Sequence, residues 1–148
     1  DIPPVASRSA GSLGAPMEEL IRAHLANVGN PTNPDIYADD VVAVFPYAPK
    51  HHTGRLEGKA RVLGFLEAIG RYFSDILMGE PVIHLTSDPN VAVVEVPGNS
   101  VSKETGLPYS QNYVTFVTVR DGKIVGLKEY YDPIQVLVAT GEIAPVGE

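Results

Sequence analysis

The order of helical and extended patterns along the chain is the feature that most constrains its fold. Residues 17–28 and 59–73 place apolar side chains at helical spacing, so each segment predicts a helix with one buried face. From residue 75 onward the chain contains runs rich in β-branched and aromatic residues, separated by turn-forming residues. Because helices and strands do not alternate, a doubly wound parallel sheet is not expected. The order predicts an α+β fold in which antiparallel strands curl over N-terminal helices.

Shorter elements complete this prediction. We expect one short helical turn over residues 33–39, a strand over 41–47, a loop over 48–58 and a final short helix over 133–139. The four strands of the later meander are predicted at residues 76–86, 91–101, 109–119 and 123–131. Asp121-Gly122 lies between the last two runs, where an Asp-Gly pair is a strong hairpin signal. A sheet that curls in this way leaves a cavity between itself and the helices, where small ligands commonly bind.

The composition restricts the classes of function. The chain has 148 residues, of which 44% are hydrophobic and 20% charged, as is typical of one soluble globular domain. Eighteen acidic against eleven basic residues give a net charge of −7, which argues against nucleic acid and anionic membranes as partners. No cysteine is present, so disulfides, thiol catalysis and cysteine-bound metals are excluded. No apolar run is long enough to predict a membrane span, and the lack of cysteine favours a cytoplasmic location.

The first sixteen residues differ in composition from the rest of the chain. Residues 1–16 are rich in Pro, Ser, Gly and Ala, and they lack the charged and apolar regions of a signal peptide. A processed terminus, an added segment and a native arm all fit this composition. As an N-terminal arm, residues 1–16 are expected to pack across an oligomer interface. A single cone-shaped α+β domain is expected over residues 17–148.

The C-terminal half of the chain carries the strings on which a family resemblance depends. Residues 121–135 read DGKIVGLKEYYDPIQ and resemble the closing strand of the nuclear transport factor 2-like superfamily. Within that superfamily the chain is most similar to the SnoaL-like polyketide cyclases and the phenazine-biosynthesis A/B proteins. The positions that carry the resemblance are Asp88-Pro89-Asn90, Val94-Glu95, Gly98, Asn112-Tyr113, Glu129 and Asp132-Pro133-Ile134-Gln135.

The resemblance implies a cone-shaped α+β barrel, in which a curved antiparallel sheet wraps over N-terminal helices and a pocket opens at the mouth of the cone. It also implies a homodimer that needs no cofactor. The superfamily contains isomerases, dehydratases, cyclases, epoxide hydrolases and proteins without catalysis. Epoxide hydrolases of the limonene type use an Arg and an Asp two residues apart on the strand that corresponds to 91–101. Here residues 94–98 read VEVPG, so epoxide hydrolysis by that set of residues is not expected.

Glu129 is the first candidate catalytic residue. One face of the strand predicted over 123–131 carries Val125, Leu127, Glu129 and Tyr131. If Leu127 faces the core, Glu129 lies on an apolar face, and burial raises the pKa of a carboxyl group toward neutrality. Such a group suits general acid–base catalysis. The alternative is a glutamate at the rim of the sheet that pairs with a basic neighbour in solvent.

Two other strands supply further candidates. Glu95 lies within a run of valines, where it is either a second pocket carboxylate or the polar residue of an interface. Asn112 and Tyr113 point to opposite faces of their strand, so one of them faces the interior of the cone. Asn112 would orient a substrate carbonyl group, and Tyr113 would donate a proton or bind the substrate. A core tyrosine with its hydroxyl at the rim is the alternative for Tyr113.

The remaining candidates are a histidine and several aromatic or apolar side chains near the expected mouth of the pocket. His51 and His52 lie in the loop 48–58, and His51 is predicted to shuttle protons there near neutral pH. Adjacent histidines point apart in an extended chain and no third ligand stands out, so no metal site is predicted. Substrate-binding residues are predicted at Tyr47, Tyr72, Tyr113, Leu127 and Tyr131, for which a plain core role is the alternative.

Two classes of function follow from these residues. The first is a cofactor-independent isomerase, cyclase or dehydratase that acts by general acid–base catalysis on a small apolar intermediate of secondary metabolism. The second is a non-catalytic small-molecule-binding protein or dimer scaffold, because a fold does not fix a function. A phenazine-type condensation of an imine or ketone is a narrower form of the first. For an anionic aromatic substrate, that reaction would need an Arg or Lys in the pocket.

Overall fold

The computed structural model describes residues 14–144, which form three α-helices and one seven-stranded sheet. The helices are α1 (Gly14–Ala26), α2 (Lys59–Tyr72) and α3 (Pro133–Ala139). The strands are β1 (Tyr37–Val44), β2 (Arg55–Glu57), β3 (Phe73–Met78), β4 (Val82–Leu85), β5 (Val91–Ser102), β6 (Pro108–Arg120) and β7 (Lys123–Tyr130). Of the arm expected over residues 1–16, residues 1–13 lie outside the described residues, and residues 14–16 instead begin α1.

The sheet confirms the predicted α+β class and the curved arrangement over the helices. Its strands follow the order β2-β1-β7-β6-β5-β3, and β4 pairs with β5 off this path. All the pairs are antiparallel except β1 with β7, which are parallel. Because β2 and β3 are the ends of the path and do not pair with each other, the sheet is open and does not form a closed barrel.

Several predicted boundaries differ from the structure. The run 76–86 forms two strands, β3 and β4, because the intervening Pro81 cannot donate a ladder hydrogen bond. The loop 48–58 contains β2, whose three residues are too few to show an alternating pattern. The strand expected over 41–47 lies at Tyr37–Val44, and the helical turn before it is limited to Pro34–Ile36.

Helices α1 and α2 contribute to the same hydrophobic core as the sheet. Met17 and Ile21 of α1 and Val62 and Leu66 of α2 are buried in that core. The turn that follows α1 packs closely against α2, and the amide of Gly29 in this turn donates a hydrogen bond to the carbonyl oxygen of Leu66 at 3.0 Å. A Cβ atom at Gly70 would overlap the carbonyl oxygen of Gly29, so only glycine permits this approach.

An irregularity in β7 changes which of its residues face the core. Thr118 pairs with Gly126 and Val119 pairs with Ile124, so Val125 is an extra residue in β7. Ile124 and Leu127 are therefore both buried, although they are three positions apart. Of the four residues that were expected to share the inner face, Leu127, Glu129 and Tyr131 line the cavity, and Val125 does not.

Candidate functional site

A cavity of about 470 Å³ lies between the inner face of the sheet and the helices. This volume is in the range of small-molecule sites. Large apolar side chains of its wall include Leu25, Phe45, Phe65, Leu66, Ile69 and Met78. The acidic side chains that line it are Glu104 and Glu129, and no Lys or Arg among the described residues does so. The cavity is therefore mainly apolar, with polar groups at particular positions.

The pairing of β6 with β7 determines which side chains enter the cavity. Thr115 pairs with Glu129, and Val117 pairs with Leu127. Residues directly opposite each other on paired strands point to the same face of the sheet, and residues two apart on one strand also share a face. Tyr113 therefore lies on the same face as Thr115. All five side chains line the cavity.

Glu129 presents a carboxyl group to this cavity. Burial disfavours the charged form of the group and raises its pKa from the ordinary value of 4.5 to about 7. A hydrogen bond with Thr115 lowers the pKa, but its effect is smaller than that of burial. A carboxyl group with this pKa is present in both protonation states near neutral pH, so it can accept a proton and return it.

Three tyrosine hydroxyls share the cavity wall with Glu129, and they belong to Tyr109, Tyr113 and Tyr131. Burial is the main cause that raises the pKa of each hydroxyl, to about 12 for Tyr131, and the nearby Glu129 carboxylate raises each pKa further. The hydroxyls therefore stay protonated and can donate hydrogen bonds to a bound oxygen atom. Tyr109 was missed by the sequence analysis, although its spacing from Tyr113 places both on one face of β6.

Gln111 lies between these tyrosines on β6 and connects them to α3. Its amide nitrogen donates to the hydroxyl of Tyr109 at 3.0 Å and to the backbone carbonyl of Asp132 at 2.8 Å. Its amide oxygen accepts a hydrogen bond from the backbone amide of Asp132 at 2.9 Å. The side chain of Asp132 caps α3 by accepting from the amide of Ile134 at 2.9 Å. The tyrosine face of β6 is thereby held against the start of α3.

The loop 48–58 contributes His52 to the cavity wall instead of the predicted His51. The Nε2 atom of His52 lies 2.8 Å from the carboxylate of Glu142, which also accepts a hydrogen bond from Thr140. His51 is exposed and has a left-handed backbone conformation with φ of 73°. Tyr72 does line the cavity, although most of its side chain is exposed to solvent.

Three other predicted site residues lie away from the cavity, which corrects their expected placement. Glu95 lies on the outer face of β5, where Nε2 of His84 is 2.6 Å from its carboxylate. Asn112 is exposed on the outer face of β6, because strand alternation directs its neighbour Tyr113 inward. Tyr47 is 61% exposed, and its ring packs edge-on against Tyr130.

Within residues 14–144, no three His, Asp or Glu side chains come close enough together to hold a metal ion. None of the helices in that range is long and apolar enough to cross a membrane. That the protein needs no cofactor stays a prediction from the family resemblance.

The open curved sheet, the helices beneath it and the cavity between them define a protein of the nuclear transport factor 2-like fold. A family model described as the SnoaL-like domain matches residues 24–127. The chain therefore belongs to the SnoaL-like domain family. One relative is protein YesE of Bacillus subtilis, whose function is uncharacterised. It is 31% identical over 107 residues, which cover 72% of this chain and 73% of YesE.

Solved structures with the same fold include two that match nearly the whole chain. A Bacillus subtilis protein with the provisional description of isomerase has a TM-score of 0.74 and 26% identity, and the match covers 88% of this chain and 94% of that chain. A phenazine biosynthesis-related protein of Pseudomonas aeruginosa has a TM-score of 0.77 and 19% identity, and the match covers 95% of this chain and 90% of that chain. These findings confirm the predicted resemblance to SnoaL-like and phenazine-biosynthesis proteins.

Proposed function

We propose that this protein is a cofactor-independent enzyme that isomerises, dehydrates or cyclises a small, largely apolar carbonyl compound by moving protons through Glu129. The observation that carries the proposal is the Glu129 carboxyl group, with a pKa of about 7, in an apolar cavity that also contains three tyrosine hydroxyls. Enolisation of a carbonyl compound requires a group that transfers a proton and a group that stabilises the developing oxygen anion. Glu129 suits the first role, and the tyrosines suit the second.

In the proposed mechanism, ionised Glu129 takes a proton from the carbon next to the substrate carbonyl group. The electron pair of the broken C–H bond forms a carbon–carbon double bond, and the carbonyl oxygen becomes an enolate oxygen. The hydroxyls of Tyr109, Tyr113 and Tyr131 are placed to donate hydrogen bonds to that oxygen.

The fate of the enolate distinguishes the three reactions. In an isomerisation, protonated Glu129 returns the proton to a different carbon of the enolate system. In a dehydration, the enolate expels a hydroxyl group, which takes the proton from Glu129 and leaves as water. In a cyclisation, the enolate carbon forms a bond to a second carbonyl carbon, whose oxygen receives the proton.

The cavity favours a neutral substrate. Its wall is mainly apolar, and among residues 14–144 no Lys or Arg lines it to balance the charge of an anion. The carboxyl group of Glu129 would in addition repel an anionic group bound beside it. A neutral ketone therefore fits the cavity better than the anionic aromatic substrate of a phenazine-type condensation.

Proton exchange from a simple ketone tests the proposal without the natural substrate. β-Tetralone in deuterated buffer loses its α-proton NMR signals as the protons exchange, and we expect the wild-type protein to accelerate this exchange. The variant Glu129→Gln keeps the shape of the side chain but cannot take a proton, so the protein-dependent rate is expected to fall by about 10²–10⁴-fold. Equal rates for the two proteins would contradict the proposal. Binding of β-tetralone without any protein-dependent exchange would instead support a non-catalytic ligand-binding protein.

A homodimer and a cytoplasmic location are further parts of the proposal. The homodimer is implied by the family resemblance, and the location is suggested by the lack of cysteine. Light scattering coupled to size-exclusion chromatography tests the first of these, with an expected mass of twice that of one chain. A monomeric mass at micromolar concentration would contradict it.

A further inference from the structure

His24 of α1 is a second polar residue in the cavity wall, and the proposed proton transfer does not use it. Its Nδ1 atom lies 2.6 Å from the hydroxyl of Tyr37, and the two rings meet edge-on. Tyr37 itself does not line the cavity. Because Nδ1 contacts Tyr37, Nε2 is the ring nitrogen that remains for a ligand. Within residues 14–144, Nε2 of His24 makes no hydrogen bond.

The direction of the hydrogen bond between Tyr37 and His24 can be derived from Asn27. The Oδ1 atom of Asn27 accepts from the backbone amide of Asn33 at 3.0 Å, which fixes the orientation of the side-chain amide. The Nδ2 atom of Asn27 then donates to the backbone carbonyl of Asn33 at 2.9 Å and to the hydroxyl oxygen of Tyr37 at 3.4 Å. The oxygen of Tyr37 thus already accepts a hydrogen bond.

The single proton of the Tyr37 hydroxyl must also have a partner, because Tyr37 is completely buried and an unpaired buried donor is unfavourable. The acceptor within reach is Nδ1 of His24. His24 must then be neutral, with its own proton on Nε2. Burial of the His24 ring is consistent with this state, since it lowers the pKa of His24 to about 4.

We propose that the Nε2–H group of His24 is a fixed hydrogen-bond donor toward the cavity, and that the natural ligand places a neutral accepting oxygen, such as a carbonyl, against it. The proposal rests on the proposed function, because it assigns the substrate two oxygen-bearing ends. One end lies at Glu129 and the tyrosines, and the other lies at His24.

The two polar regions of the cavity, one at His24 and one at Glu129, lie near opposite ends of β7. Tyr37, which holds His24, pairs with Ile124 near the start of β7, whereas Glu129 lies near its end. Because Val125 is an extra residue in β7, the segment from Ile124 to Glu129 advances by about four regular strand positions, which span roughly 13 Å. Apolar side chains line the wall between the two ends, so the cavity fits an elongated molecule with an apolar middle.

A matched pair of rigid probes tests the donor. The first probe is a biphenyl with a para hydroxyl at one end and a para′ acetyl at the other, and the second replaces the acetyl with an isopropenyl group of the same shape. Of the two groups that differ between the probes, only the acetyl group accepts a hydrogen bond. Isothermal titration calorimetry is expected to show that wild-type protein binds the acetyl probe about 5- to 10-fold more tightly than the isopropenyl probe, as expected when a buried donor gains a partner.

Substitutions assign this preference to His24. We expect His24→Phe to bind the two probes equally. The matched control His84→Phe, which makes the same substitution on the outer face of the sheet, is expected to retain the wild-type preference. Equal binding of both probes by the wild-type protein, or an unchanged preference in His24→Phe, would overturn the proposal.

The protonation state of His24 provides a test that does not depend on a ligand or on the folding of a His24 variant. Long-range ¹H–¹⁵N correlation spectra near neutral pH are expected to show a neutral His24 ring protonated at Nε2. In Tyr37→Phe the donor to Nδ1 is lost, so a mixture of the two neutral tautomers is expected. A wild-type ring that is charged, or protonated at Nδ1, would overturn the inference.

The inference and the proposed function fail separately. If the His24 inference fails alone, β-tetralone exchange and its loss in Glu129→Gln remain, and only the preference between the two biphenyl probes is missing. If the proposed function fails alone, the acetyl preference and the Nε2 tautomer remain, while no protein-dependent exchange is observed.

Discussion

Glu129 and Glu95 are two carboxylates that lie in apolar stretches of the chain, on strands that flank β6 on either side. Glu129 faces the cavity, where burial raises its pKa to about 7. Glu95 faces outward, where it pairs with His84 at 2.6 Å while the side chains of Glu95 and His84 remain 57% and 44% exposed. The comparison teaches that the face of the sheet, and not the hydrophobicity of the flanking sequence, determines whether an acidic side chain is suited to catalysis.

Adjacent residues of β6 repeat the same contrast. Tyr113 enters the cavity, and burial and the neighbouring Tyr109 and Glu129 raise its pKa. Asn112, one residue earlier, is exposed on the outer face and pairs in register with the exposed Pro97. A shift of one residue in the strand would exchange these environments. The inner face of β5, β6 and β7 therefore carries the proposed chemistry, and the outer face does not.

The largest expected difference between the two faces is in catalysis. Glu129→Gln is expected to reduce the exchange of β-tetralone protons by about 10²–10⁴-fold. Glu95→Gln makes the same chemical change on the outer face, and its exchange rate is expected to stay within about twofold of the wild-type rate. NMR exchange rates of the purified variants measure both. A comparable loss in Glu95→Gln would show that the outer face contributes to the reaction.

The raised pKa of Glu129 predicts a pH-dependent stability. The carboxyl group titrates near 4.5 in the unfolded chain and near 7 in the folded chain. Between these values the folded chain holds a proton that the unfolded chain has released, so the free energy of unfolding falls as the pH rises through this window. This stabilisation is fully present below pH 4.5. By about pH 7 the free energy of unfolding has fallen by about 3 kcal/mol.

Urea unfolding of wild type and Glu129→Gln between about pH 4 and pH 8 measures this effect. The other titrating groups are common to both proteins, so the difference between their unfolding free energies isolates Glu129. We expect that difference to change with pH in the window given above and to be constant at higher pH. A difference that is independent of pH would contradict a buried, neutral Glu129.

A glycine on the inner face provides a smaller test of packing. A Cβ atom at Gly98 would lie 2.7 Å from Cε2 of Tyr113 and 3.2 Å from Sδ of Met78. Gly98→Ala must therefore displace Tyr113, and overpacking of this kind lowers the free energy of unfolding by about 1–3 kcal/mol. The outer-face variant Asn112→Ala is expected to stay within about 0.5 kcal/mol of wild type. Urea unfolding compares the two variants, and a neutral Gly98→Ala would argue against the close packing of Tyr113.

The smallest expected effect belongs to the outer pair of His84 and Glu95. Both side chains are about half exposed, so their coupling in a double-mutant cycle of His84→Ala and Glu95→Ala is expected to be about 0.2–1 kcal/mol. High salt should weaken the coupling, because solvent-exposed charges are screened. A coupling well above this range that does not respond to salt would indicate that the pair is buried, for instance by a second copy of the chain.

The sequence predicted the elements of the fold more successfully than their faces. Helix α2 was expected at 59–73 and lies at Lys59–Tyr72, and β5 to β7 lie within one residue of their predicted bounds at both ends. The extra residue Val125 in β7 was not predicted, because a bulge depends on the register with the neighbouring strand.

The candidate site was predicted in part. Glu129, Leu127, Tyr113, Tyr131 and Tyr72 do line the cavity. Tyr109 and His24 also line the cavity but were not predicted, and His52 lines it in place of the predicted His51. An approximate loop boundary cannot decide which of two adjacent histidines points inward. The position of His24 in the wall depends on how α1 is placed against Tyr37, which no local pattern records.

The contrast between Glu129 and Glu95 therefore has one part that the chain alone determined and one part that it did not. In β7, Leu127 and Glu129 alternate with the polar Lys128, so the sequence itself places Glu129 on the apolar face. In β5, Val94 and Val96 lie on either side of Glu95, and the alternating positions, Val93 and Pro97, are also apolar, so the sequence contains no polar–apolar difference between the two faces. Only the pairing of β5 with β4 and β6 decided that Val94 and Val96 point into the core and Glu95 points out. The physical reason is that strand alternation fixes which residues share a face, whereas tertiary packing fixes which face is buried.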